Sequence, residues 1–305
     1  MTRIGLSLGP CFFNWPPDRL TDFYARIADE APIDRVYVGE VVCGKRMPFS
    51  DPIMPRVIER LERAGKTVVV SMLALPGTVR EQSAMANLAE LDRFLEINDL
   101  SALTERNGKS FVAGPFLNIY NEAALAALVA RGATGWCPPV ELPLSSITII
   151  ARACPEVEVE LFAFGRLPLA VSGRCYHART HGLNKDSCGF VCDRDLDGMA
   201  VTTIDGQALF AVNGIQTLSH AVQTVLMAPD ALHAAGIRCL RLSPHALDMV
   251  QVARIYRDVL DGKLEVPAAE NRLAELELPG AICNAYIAGE PGWQKIGQRA
   301  HVGPA

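Results

Sequence analysis

The sequence predicts a parallel α/β chain wound as a (β/α)8, TIM-like barrel with a cysteine-bearing insertion after the seventh strand. Three observations predict it. Short apolar runs alternate with longer amphipathic stretches along most of the chain. Those apolar runs are continuous and not alternating, as in parallel strands covered on both faces. Eight of them fit a length of 305 residues, which suits a closed barrel. An open, doubly wound parallel sheet is the alternative reading.

The expected strands are Ile4–Leu8, Arg35–Val42, Thr67–Leu73, Phe94–Ile97, Ser110–Ala113, Thr134–Cys137, Val157–Leu161 and Ile237–Leu242. Helical spacing lies between them. Residues 17–30 put Leu20, Phe23, Tyr24 and Ile27 on one face, and residues 51–64 do the same with Ile53, Val57, Ile58 and Leu61. Residues 122–130 and 248–260 follow the same pattern. Gly65, Gly108, Gly132 and Gly236 stand where helices should stop. The alternation breaks between about 168 and 214, where the insertion is expected. Its second half should form a small antiparallel unit with turns at Asp205-Gly206 and Asn213-Gly214. No linker interrupts the chain, so residues 1–305 read as a single barrel-like domain, with the stretch from Leu278 wrapping its surface.

Composition excludes several classes of function. Half of the residues are hydrophobic, the net charge is −5, and basic residues are not clustered. A nucleic-acid footprint would need such clusters. No apolar run approaches the roughly 18 residues of a transmembrane helix. The opening MTRIGLSLGPCFFNW is too soon interrupted for a secretion leader and reads as the first buried strand, so a cytoplasmic protein is expected.

Nine cysteines are many for such a chain. Disulfides are rare in the cytosol, which leaves metal or redox roles for clustered thiols. Cys137, Cys154, Cys239 and Cys283 sit in apolar surroundings and read as small buried hydrophobes; Cys11 is ambiguous. Cys175, Cys188 and Cys192 differ. They crowd into the polar, glycine-broken segment SGRCYHARTHGLNKDSCGFVC, whose positive charges favour thiolate, the ligand form. If the piece between Cys188 and Cys192 is helical, both sulfurs share one face. Cys43, just past the second strand, is the best fourth ligand, because strand ends build the active face of a barrel. Zinc commonly takes paired short knuckles. A single C-x3-C pair with two distant partners suits a [4Fe–4S] cube better, with zinc or no metal left as alternatives.

At these residues a resemblance emerges. VELFAFGRLPLAVSGRCYHARTHGLNKDSCGFVC, together with DLSAL and LNIYN, resembles the collagenase-like peptidase family of unknown catalytic type, over nearly the whole chain. Many members have a cysteine seven residues before that of the Ser-Gly-Arg-Cys turn; here Pro168 stands there. The combination of VYVGEVVCGKR with Cys188 and Cys192 is similar to the branch that serves oxygen-independent hydroxylation in ubiquinone biosynthesis. That resemblance implies a [4Fe–4S] cluster on Cys43, Cys175, Cys188 and Cys192. It also implies a homologous UbiU-like partner forming a heterodimer, a UbiT-like lipid-binding accessory protein, a prenylated quinone precursor as substrate and prephenate as oxygen donor.

Three functions compete. The first is a redox subunit, with Glu40, Arg174 and His177 as candidate catalytic helpers. The second is a peptidase. His177 and His181 have zinc-protease spacing, but Ala178 replaces the glutamate base, and no G-x-S-x-G elbow is present. The third is a metal-stabilised, non-catalytic scaffold subunit. Gly108-Lys109-Ser110 lacks the earlier glycine of a phosphate loop and reads as a helix cap. No G-x-G-x-x-G fingerprint is present.

Overall fold

The computed structural model describes residues 3–106 and 108–297. Twelve strands run in chain order among them: β1 (Gly5–Leu8), β2 (Arg35–Val38), β3 (Thr67–Ser71), β4 (Leu95–Ile97), β5 (Phe111–Ala113), β6 (Ala133–Trp136), β7 (Glu158–Val171), β8 (Met199–Thr202), β9 (Ala208–Asn213), β10 (Gln216–Thr224), β11 (Ile237–Leu242) and β12 (Ile282–Cys283). Strands β1 to β7 pair in sequence, all parallel. β11 then pairs in parallel with β7 on one side and β1 on the other, with Leu240 opposite both Leu161 and Leu6. That double pairing closes an eight-stranded parallel barrel and rules out the open sheet.

Helices fill the connections. Pro17–Glu30 buries Leu20, Tyr24, Ile27 and Ala28 against the barrel. Met249–Leu260 is capped by the Asp248 side chain, which accepts from the amides of Val250 and Gln251. The expected helix over 51–64 starts later, at Met54, after a separate short turn at Met47–Ser50. The expected stop at Gly236 is real: its φ of +81° is a left-handed conformation that glycine adopts without penalty.

One strand boundary shapes the rim of the barrel. The apolar run from Arg35 suggested a strand to Val42, but β2 ends at Val38. Gly39 takes φ +107° there, and a Cβ on it would lie 2.7 Å from the Ser71 carbonyl oxygen. The chain therefore leaves the sheet early. Glu40 to Cys43 become a loop at the carboxyl end of the barrel.

The layer between strands and helices is apolar: Leu6, Leu8, Val36, Val38, Ile97, Trp136, Leu161 and Leu242 are fully buried. The barrel interior is mixed, with Val69 and Val112 beside a polar cluster. Branched apolar side chains normally fill it, but here Ser7, Ser71, Glu96, Glu160 and Arg241 are buried inside. Arg241 donates to Glu160 at 2.7 Å and to Glu96 at 2.5 Å, and stacks over the Tyr37 ring at 4.0 Å. Tyr37 and Ser7 both donate to Glu160, and Ser71 donates to Glu96.

The insertion follows β7. This strand outruns the barrel, and its distal half pairs antiparallel with β10, which pairs with β9, which pairs with β8. The two glycine turns fall where expected, with Gly206 and Gly214 at φ +84° and +69°. β12 lies parallel to β10, so part of the expected wrapping tail adds to this sheet; residues 298–305 lie outside the described part. Among the described residues no helix is long and apolar enough to cross a membrane.

Candidate metal centre

Two loops meet beside the barrel rim. One follows β2; the other fills the space between β7 and β8. Together they enclose a cavity lined by Cys43, Cys175, Cys188 and Cys192, with Lys45, Arg46, His177, Lys185, Phe190, Val191, Gly214 and Ile215. All four thiols expected to act together thus line one space, although Cys43 and Cys175 stand 132 positions apart in the chain. Cys175 and Cys192 are buried; Cys43 and Cys188 are half-buried.

Local chemistry explains each position. Cys175 precedes the helical turn Tyr176–Thr180, and its sulfur accepts from the Ala178 amide at 3.3 Å. Cys192 lies in the 3-10 turn Val191–Arg194. The stretch from Cys188 to Cys192 is not one helix, as its spacing suggested. Gly189 and Phe190 both take φ +56°, which reverses the chain and returns both sulfurs to the same cavity. Left-handed φ is costly for a phenylalanine. The Phe190 ring packs edge-on against Phe49 at 4.8 Å, at the outer side of the loop. Lys45 fastens the two loops together, donating to the carbonyls of Lys185 and Asp186 at 2.7 and 3.0 Å.

Three residues were expected as catalytic helpers, and they take different places. The Glu40 side chain is 7% exposed, and one of its carboxylate oxygens accepts from the amides of Val42 and Cys43 at 2.8 and 2.9 Å. It shapes the turn that presents Cys43. Burial pushes its carboxyl up, partly opposed by the Arg46 guanidinium 3.7 Å away. His177 is buried and lines the cavity, with Nδ1 3.2 Å from the Val212 carbonyl, Nε2 3.0 Å from Asp195, and its ring stacked on His181. Burial lowers its affinity for a proton, against the pull of Val212 and Asp195. Arg174 is exposed, its backbone amide bonds the Ser172 hydroxyl, and it does not line the cavity.

Sequence reasoning could place the charges of Lys45 and Arg46 beside Cys43, where they favour thiolate, but it missed the contact of Arg46 with Cys192 and the roles of Asn14 and Asn213. Arg46 is 2% exposed. It donates to the Phe12 carbonyl at 3.1 Å, to Asn213 at 2.6 Å and to the Cys192 sulfur at 3.6 Å. Burial alone would lower its pKa, but the Glu40 carboxylate and the Cys192 and Cys43 sulfurs raise it. Asn14 donates to the same sulfur at 3.3 Å. Asn213 is fixed by the carbonyls of Cys192 and Asp195, both at 2.9 Å. Gly214 is needed because a Cβ there would fall on the Arg46 guanidinium. A charge beside Cys43 and an Asn-Gly turn were visible in the chain, but nothing linear joins them.

The donor set suits a metal group. Thiols must lose their protons to bind metal. Burial pushes the Cys43 and Cys175 thiols up, while Arg46 pulls both back. A zinc ion with bonds of about 2.3 Å holds its sulfurs about 3.8 Å apart. No three of these four sulfurs lie within 4.8 Å of one another. A second trio, Glu158, Glu160 and Cys239, does lie that close, but Arg35 already pairs with both carboxylates at 2.5 and 3.3 Å. The remaining sulfurs behave as expected: Cys137, Cys154, Cys239 and Cys283 are buried away from the cavity. Cys11 is also buried, its thiol pushed up to about 12 by desolvation.

An adjoining chamber is walled by Phe13, Trp15, Leu20, Tyr24, Phe49 and Met54. Arg46 lines both spaces.

The family model described as peptidase family U32 matches residues 18–292. The match takes in seven of the eight barrel strands, the insertion and all four cavity cysteines, so this chain belongs to peptidase family U32.

Proposed function

We propose that the cavity holds a [4Fe–4S] cluster on Cys43, Cys175, Cys188 and Cys192, and that the chain is a UbiV-like subunit of an oxygen-independent ring hydroxylase. The observation that carries this reading is the convergence of four thiols, from two distant loops, on one buried and positively charged space. Four thiols with irregular spacing in the chain suit a cube, which is held by four cysteine thiolates. In this reading the cluster supplies electron-transfer or oxygen-transfer chemistry. The chain's own residues do the rest. Glu40 shapes the Cys43 turn, Lys45 holds the two loops together, Arg46 balances thiolate charge, and Phe49 and Phe190 pack at the outer edge.

The substrate is a prenylated aromatic precursor of ubiquinone, with prephenate as oxygen donor, a UbiU-like homologous subunit as partner and a UbiT-like protein delivering the lipid. Reconstitution tests it. The chain and its partner, prepared without oxygen, are given a prenylated phenol and prephenate, and products are identified by mass spectrometry. Ring hydroxylation that disappears with Cys192→Ser supports the reading. Peptide cleavage by the cluster-free chain, without hydroxylation by the loaded pair, overturns it in favour of a peptidase.

A further inference from the structure

The hydrogen bonds around the four sulfurs are unequal. Cys175 receives one backbone amide, from Ala178 at 3.3 Å. Cys192 receives two side-chain donors, the Asn14 amide at 3.3 Å and the Arg46 guanidinium at 3.6 Å. Arg46 reaches this place at some expense. Its side chain is buried, its Nε has no partner, and it is held by Glu40, Asn213 and the Phe12 carbonyl. Both donors also line the aromatic chamber.

We propose that Arg46 and Asn14 are positioning residues that set the reduction potential of the cluster through the sulfur of Cys192; this rests on the cluster reading of the cavity. Reduction adds negative charge to a cluster and its thiolates. A buried positive charge and N–H donors aimed at a ligand sulfur stabilise the reduced form and raise the potential. In a site of low dielectric that effect is stronger than at the surface. Arg194, only two residues from Cys192, is exposed to water, so its charge is screened and contributes little.

The test is an anaerobic redox titration of the full chain with its partner, followed by absorption and electron paramagnetic resonance. Arg46→Gln lowers the reduction equilibrium constant at least tenfold, a shift of about 59 mV to more negative potential for one electron. Asn14→Ala shifts it the same way by less, because it removes a neutral donor. Arg46→Lys recovers part of the loss, and Arg194→Gln leaves the potential where it was. Unshifted potentials in cluster-loaded Arg46→Gln and Asn14→Ala overturn the proposal while leaving the cluster in place. If Arg46→Gln is insoluble, Asn14→Ala decides alone. A wild-type chain without iron and sulfide overturns both this proposal and the functional reading beneath it.

Discussion

Arg241 on β11 and Glu96 on β4 meet inside the barrel, nitrogen to oxygen at 2.5 Å, each side chain 1% exposed. They come from opposite sides of the ring of strands, so their contact spans it. Arg241 also pairs with Glu160, so loss of Glu96 leaves it partnered, whereas loss of Arg241 leaves the Glu96 carboxylate buried without a charged partner, which costs about 3–5 kcal/mol. Arg241→Ala is therefore expected to lose that much in urea unfolding, while Glu62→Ala, whose surface pair with Arg93 is half-exposed, loses less than about 1 kcal/mol. Equal effects would mean that the interior network is not what holds the barrel.

The four cavity cysteines should separate cleanly from the rest. Serine at Cys43, Cys175, Cys188 or Cys192 lowers bound iron and sulfide severalfold. Alanine at Cys137 or Cys283 leaves both unchanged, with a loss of stability from the small cavity. Metal analysis beside thermal melting distinguishes the two groups.

Gly214→Ala combines two faults. The φ of +69° disfavours any side chain, and the new methyl meets Arg46. We expect a loss of about 1–2 kcal/mol from backbone strain, together with an altered cluster absorption spectrum. Gly206→Ala, with φ +84° in an open turn, shares the strain alone and should keep the wild-type spectrum.

His245 offers a pH dependence away from the cysteines. It is fully buried, its Nδ1–H donates to Asp197 at 2.9 Å, and its Nε2 accepts from the Arg166 amide at 2.9 Å. Burial holds its pKa below the ordinary 6.5, with Asp197 opposing and Arg166 assisting. The folded state thus binds fewer protons than the unfolded chain just below pH 6.5. Stability is complete above that value and falls as the solution is acidified towards the folded pKa. Asp197 is itself held below the usual carboxylate range by His245 and the Ala246 amide, against its burial, so its contribution is lost only in stronger acid. Melting temperatures between pH 7.5 and 5 should fall more steeply for the wild type than for His245→Asn.

Much of this architecture was legible in the chain, for identifiable reasons. Continuous runs such as Ile237–Leu242 announce strands buried on both faces, and eight of them closed as expected. Gly65, Gly132 and Gly236 mark helix ends because a left-handed residue there has few alternatives. The strand expected through Val42 stopped at Val38, because hydrophobicity does not report that Gly39 must approach the Ser71 carbonyl. Cys43, Cys175, Cys188 and Cys192 could be chosen together because strand ends share one face of a barrel. Arg174 looked as promising as Arg46 by composition. Only the fold shows that one faces water while the other is buried against a sulfur, since that depends on Asn213 and Gly214 arriving from the insertion.

A cluster held by these four sulfurs is tested most directly by iron, acid-labile sulfide and zinc analysis of the chain purified without oxygen. About four irons and four sulfides per chain are expected, lost in Cys192→Ser. Stoichiometric zinc with neither iron nor sulfide would contradict the cluster.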